Sequence, residues 1–100
     1  MRKRAHIEII YDILTFIYNN HGLARSTSIL YKTNLSVTLL KKYLNGLIND
    51  EMIAVIRKNE KNFYTVTEKG IEFIKLARKI NSMTDLIELD KRKREHNNTN

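Results

Sequence analysis

Residues 34–48, "NLSVTLLKKYLNGLI", read as the start and body of one helix with two unlike sides. Ser36 is placed to cap it, because its hydroxyl can accept a bond from a free backbone N–H of the first turn. At about 100° per residue, Leu39, Leu40, Tyr43, Leu44, Leu47 and Ile48 fall on one apolar half. The other half offers Thr38, Lys41, Lys42, Asn45 and Asn49, with no acid among them. Its neighbours decide whether that half is plain solvated surface or a face shaped to be read against a partner.

Upstream, two further helices are expected. Ile7, Ile10, Leu14 and Ile17 recur at three- and four-residue spacing, widened by Ile13 and Tyr18, which gives a helix over about residues 5–20. "NNHG" stops it, with Gly22 a natural left-handed cap. A short second helix fits about residues 25–32, with Ile29, Leu30 and Tyr31 as its apolar contacts. "KTNLS" is then a tight turn around Leu35. Helix two, a short turn and helix three make a helix-turn-helix, with the third helix as the candidate reader.

Downstream the period changes. "MIAVIRK" and "NFYTV" are rich in β-branched and aromatic residues and alternate like strands. "NEKN", residues 59–62, reads as the exposed tip of the hairpin joining them. "TEKGIEFIKLARKINSMTDLIEL" restores helical spacing, with Thr67 as N-cap and Glu68 and Glu72 near the positive end of the macrodipole. Phe73, Leu76, Ile80, Met83 and Ile87 follow a 3-4-3-4 spacing, a short coiled-coil seam. Gly70 weakens the first turn, so close packing is expected there. From Lys91, "KRKREHNNTN" has nothing apolar to bury. The expected architecture is mainly α with a β-hairpin: a winged helix-turn-helix domain over 1–66, including a basic arm at 1–4, followed by a long C-terminal coiled-coil helix. That dimerisation helix spans 67–93, and a disordered tail spans 94–100.

The chain has 18 basic and 11 acidic residues and a formal charge of +7, which favours a polyanionic partner. Between Ile13 and Asn49 there is no Asp or Glu, yet Arg25, Lys32, Lys41 and Lys42 all fall there. With no cysteine, disulfides and thiolate metal sites are excluded. Glu8 and Asp12 interrupt the apolar stretch that follows "MRKR", so a signal peptide is not expected. No run approaches the roughly 18–20 apolar residues of a membrane span, and a soluble, cytoplasmic protein is expected.

Four segments, "IIYDIL", "YKTNLS", "LLKKYLNGLI" and "YTVTEKG", resemble the small archaeal winged-helix DNA-binding proteins of the Sulfolobus ten-kilodalton chromatin type. The resemblance covers about residues 7–89, and Tyr64–Gly70 is its most specific part. It implies a homodimer held by an antiparallel coiled coil of the last helix, double-stranded DNA as partner, and no enzymatic activity. One departure stands out. Winged helices of this sort often carry Gly-Leu-Ile after the third helix, where this chain has "EMI" at 51–53. The turn that glycine would make then falls to Asn49 or Asp50.

The residues support the same partner independently. Lys41, Lys42, Lys32 and Arg25 gain affinity for a duplex by releasing counterions, Thr38, Asn45 and Asn49 can bond to phosphates or base edges, and Ser36 joins them as a candidate DNA-binding residue. Arg57, Lys58 and Lys61 surround the hairpin tip, where a wing can meet the flanking backbone or the minor groove. Such a protein acts as a nucleoid-associated (chromatin) protein or as a transcriptional regulator. The rival reading is a winged-helix protein–protein adaptor, which calls for an apolar patch on the exposed face of the third helix. Single-strand or RNA binding calls for exposed aromatics, and Tyr31 is the one tyrosine with no secure place in the core. His6, His21 and His96 are far apart and read as surface residues, and Ser26, Thr27 and Ser28 as cap or helix-surface residues. No catalytic residue, cofactor, metal or small-molecule substrate is expected.

Overall fold

The structure, a computed structural model, describes residues 5–87 and 89. The chain runs α1 (His6–Asn19), α2 (Ser26–Thr33), α3 (Val37–Asn49), β1 (Ile53–Lys58), β2 (Lys61–Val66) and α4 (Glu68–Asn81). The arm at 1–4, the basic cluster from Lys91 and the tail at 94–100 lie outside the described residues.

α1 is the centre of the domain and packs against α2, β2 and α4. Ile13, Leu14 and Ile17 are fully buried, and Ile9 and Tyr11 nearly so. The apolar stripe expected from spacing was therefore too narrow. Ile7 and Ile10 are only half-buried and Tyr18 is exposed, while Ile9 and Tyr11 are covered because neighbours lie on more than one side. The buried Glu8 carboxylate accepts the Ala5 backbone N–H at 2.9 Å, satisfying a donor at the helix start. At the other end His21 and Gly22 both take left-handed conformations and turn the chain toward α2.

The turn between α2 and α3 is built from two polar residues. Asn34 adopts the left-handed conformation (φ 58°) and its N–H bonds to the Leu30 carbonyl. Ser36 then caps α3, accepting from the Leu39 N–H at 3.1 Å. Ile29, Leu40, Leu44 and Leu47 fill the core behind them. Tyr31 supplies no core contact: it is 91% exposed.

Neither Asn49 nor Asp50 makes the turn out of α3. Glu51 makes it, at φ 61°. Its N–H bonds to the Ile48 carbonyl and the Met52 N–H to the Leu47 carbonyl, the paired bonds of a Schellman motif. Asp50 keeps a φ of −83° as the helix cap. The chain thereby enters β1, which pairs antiparallel with β2 from Ile53↔Val66 to Lys58↔Lys61. The hairpin tip is shorter than expected, because Lys61 and Asn62 are already paired. The two turn residues, Asn59 and Glu60, are both left-handed, which matches the twist of the strands. A third, one-residue strand appears at Ala24, which exchanges both backbone bonds with Tyr64 at 3.0 and 2.7 Å.

α4 starts against the exit of α3. The Thr67 N–H bonds to the Met52 carbonyl at 3.0 Å. Its hydroxyl donates to the Glu51 carbonyl at 2.6 Å and accepts from the Gly70 N–H at 3.1 Å. A Cβ on Gly70 would stand 2.3 Å from the Met52 oxygen and 2.6 Å from Val66 Cγ1, which accounts for glycine there.

The expected long C-terminal helix is not observed, because α4 ends at Asn81. Short polar side chains compete with the helix beyond that point. The Ser82 hydroxyl donates to the Lys79 carbonyl, Thr84 Oγ1 accepts from the Leu86 N–H, and Asn81 Oδ1 accepts from the Leu89 N–H. The chain folds back so that Leu89 is buried in the core and Ile87 packs against it. Ile87 consequently does not continue the seam. Phe73 is half-buried, and only Leu76, Ile80 and Met83 present it to solvent.

Two substitutions test these junctions by denaturant or thermal unfolding. Gly70→Ala is expected to destabilise the domain by about 1–3 kcal/mol, since backbone must shift to admit the methyl. Glu51→Gly is expected to stabilise it by about 0.5–1 kcal/mol, because glycine removes the strain of the left-handed conformation at some cost in chain entropy.

Candidate nucleic-acid interface

α3 buries Leu40, Leu44 and Leu47 and turns its other side to solvent. At about 100° per residue, Thr38, Lys42, Asn45 and Asn49 lie opposite the buried leucines, with Lys41 beside them. All five are exposed, and α3 has no acid in its length. Asp50 and Glu51 follow directly, so negative charge marks the far end of this face. Ser36 is exposed as well, but its oxygen already caps the helix.

α2 carries two more of the basic residues. Arg25 is its exposed N-cap residue and makes no side-chain cap bond. It directly follows Ala24, whose pairing with Tyr64 fixes it beside the base of the hairpin. Lys32 is exposed in the last turn, where a cation suits the negative end of the helix dipole.

The wing holds the remaining three. Arg57 Nη1 donates to Asn62 Oδ1 at 3.0 Å across the strands. Lys58 stands directly opposite Lys61. Like charges in register destabilise a strand pair, so this end of the hairpin is an electrostatic liability for the free protein. Glu60 in the turn is the acid nearest in sequence.

The structure thus distributes the ten residues over three exposed clusters. One is on α3, one on α2 and one at the wing tip. α3 packs on β1, and the Ala24–Tyr64 bridge joins the start of α2 to β2. Three features of this region lie outside the sequence reading. Val37, the first residue of α3, is 56% exposed, an apolar side chain at the leading end of the helix. Tyr43 is half-buried and shares a hydrogen bond with the His6 ring, so His6 is not a free surface residue. The two residues border a groove of about 230 Å³ between the start of α1 and the flank of α3. Its apolar walls are Ile10, Leu39 and Leu47, and Lys42, Gly46 and Asp50 complete it. Contact between His6 and Tyr43 spans the fold, and no local pattern announces it. The mid-helix glycine was the one available hint.

Among the described residues no group of His, Asp or Glu is arranged to hold a metal ion, and no helix is long and apolar enough to cross a membrane.

Comparison with known proteins agrees with this architecture. Sso10a-2, a DNA-binding protein from Sulfolobus solfataricus, superposes with a TM-score of 0.69 at 24% identity, over 80% of this chain and 81% of that one. A winged-helix DNA-binding protein from STIV gives a TM-score of 0.67 at 19% identity, over 86% of this chain and all (100%) of the other. Sco5413, a MarR family transcriptional regulator from Streptomyces coelicolor, gives 0.63 at 17% identity, over 70% of this chain and 50% of that one. At these identities the likeness is one of fold. No curated protein matches the sequence. A family model described as winged helix-turn-helix matches residues 3–85, most of the chain. With three helices, a hairpin wing and a fourth helix in the expected order, the chain belongs to the winged helix-turn-helix family.

Proposed function

We propose that this chain is a double-stranded DNA-binding protein that acts as a homodimer, in organising the genome or in controlling transcription on the nucleoid. The observation that carries the reading is the exposed, acid-free face of α3, with Thr38, Lys41, Lys42 and Asn45 in the reading position of a helix-turn-helix. α3 enters the major groove, and the wing lies on the flanking backbone. Arg25 and Lys32 add phosphate contacts from α2. The register pair Lys58–Lys61 supports the same partner, since a phosphate between the two ammonium groups replaces repulsion with attraction. The solved DNA-binding proteins of similar fold are consistent with it.

Dimerisation is read from the outer side of α4. Leu76, Ile80 and Met83, with Leu86 beyond the helix, leave a row of apolar side chains in solvent, and a second copy covers it. Phe73 sits at the inner edge of that row. A helix that ends at Asn81 makes this a short contact, less than the extended coiled coil expected from the seam. The adaptor reading draws on Val37 and Leu39, which put some apolar surface on α3.

Fluorescence anisotropy on random duplex at several salt concentrations separates the two. Affinity is expected to fall steeply with salt, and replacing Lys41 and Lys42 with alanine should flatten the log–log slope by about 1 for each lysine. Binding that ignores salt, or that the double variant leaves unchanged, sinks the proposed face. Sedimentation tests the dimer. The parent chain is expected to be dimeric at micromolar concentration and the Leu76→Glu/Ile80→Glu variant monomeric with an intact fold, whereas a monomeric parent rejects this interface.

A further inference from the structure

Gly46 stands in the middle of α3, where glycine weakens a helix because it loses more conformational freedom on folding than alanine. Neither usual reason for a glycine applies to it. Its φ is not positive; among the described glycines only Gly22 has that conformation. A Cβ built on Gly46 meets nothing within 4 Å, whereas one on Gly70 collides with Met52 and Val66. Among the described residues nothing uses the missing side chain.

The surroundings of Gly46 suggest what does. It is exposed, one helical turn from Lys42 and adjacent to Asn45, and Asn49 follows in the next turn. It also lines the groove between α3 and the start of α1. That groove has aliphatic walls in Ile10, Leu39 and Leu47, with Lys42 and the His6–Tyr43 pair as its cationic and polar groups. A sugar–phosphate strand has the matching chemistry: an apolar deoxyribose edge and an anionic phosphate.

We propose that Gly46 is the point of closest approach between α3 and the sugar–phosphate backbone of a duplex. The glycine leaves room for one strand to pass over the helix flank, with a sugar edge in the groove and its phosphate on Lys42. Asp50 lines the groove too and repels phosphate, so the strand leaves by the Lys42 side. This role rests on the DNA-binding reading and deepens it. Gly46 itself contributes space, through which one phosphate reaches Lys42.

The test uses the whole chain and the variants Gly46→Ala and Gly46→Leu, with thermal unfolding and anisotropy on random duplex at several salt concentrations. Gly46→Ala is expected to raise the unfolding midpoint by about 4–8 °C, as a better helix former in open space. The same variant is expected to bind duplex about tenfold more weakly, with a salt slope flatter by about 1 as one phosphate contact is lost, and Gly46→Leu to bind more weakly still. A more stable Gly46→Ala that binds as tightly as the parent overturns the close approach and leaves the DNA reading standing. A fall in the midpoint also overturns it, since the glycine then serves the fold. A parent chain with no salt-dependent duplex binding removes the DNA reading itself, and this inference with it.

Discussion

The backbone carbonyl of Met52 is the contact on which the arrangement of the domain depends. It accepts the Thr67 N–H, and the absence of a side chain on Gly70 lets the first turn of α4 lie directly on it. Thr67 also reaches the Glu51 carbonyl, and the Lys69 ammonium donates to the Asp50 carbonyl at 2.8 Å. Three successive carbonyls at the exit of α3 are thus held by the entry of α4. Peptide groups at a packed junction need partners, and these bonds supply them while fixing the angle between α3, the hairpin and α4. The left-handed Glu51 is the other half of the same joint, since it aims those carbonyls at α4.

Much of this fold was legible because its punctuation is local. Ser36 and Thr67 cap the helices they precede in sequence, and Gly22 sits at the turn it was expected to form. Gly70 signalled close packing because an unfavourable residue in a first turn needs a reason. The strands could be read from two runs of β-branched and aromatic residues, and the helix-turn-helix from element order alone.

The missed and misread features rest on contacts that residue spacing does not reveal. Ala24 pairs with Tyr64 through one residue on each side, too little to show an alternating pattern. α4 was extended past Asn81 because spacing alone cannot weigh a heptad against Ser82 and Thr84, whose side chains bond to nearby backbone, or against the burial of Leu89. Tyr31 was read as a helix contact, yet Ile29 and Leu30 suffice to seat so short a helix. For the candidate interface, sequence could nominate basic and polar residues and their elements. It could not show that Val37 projects outward, or that Gly46 leaves an opening beside Lys42.

The Ala24–Tyr64 bridge gives the wing a property that a free hairpin lacks. Two strands alone are marginal in water, so the order of β1 and β2 is partly borrowed from the segment that leads into α2. Displacement at the base of the wing strains the two backbone bonds beside Arg25, so the hairpin and the start of α2 are ordered together. Such linkage is reciprocal: engagement at either place lowers the ordering entropy left to be lost at the other. Wing and helix-turn-helix are therefore joined through backbone as well as through the core, and a lesion at Ala24, far in sequence from β1 and β2, would loosen the hairpin it never touches in sequence.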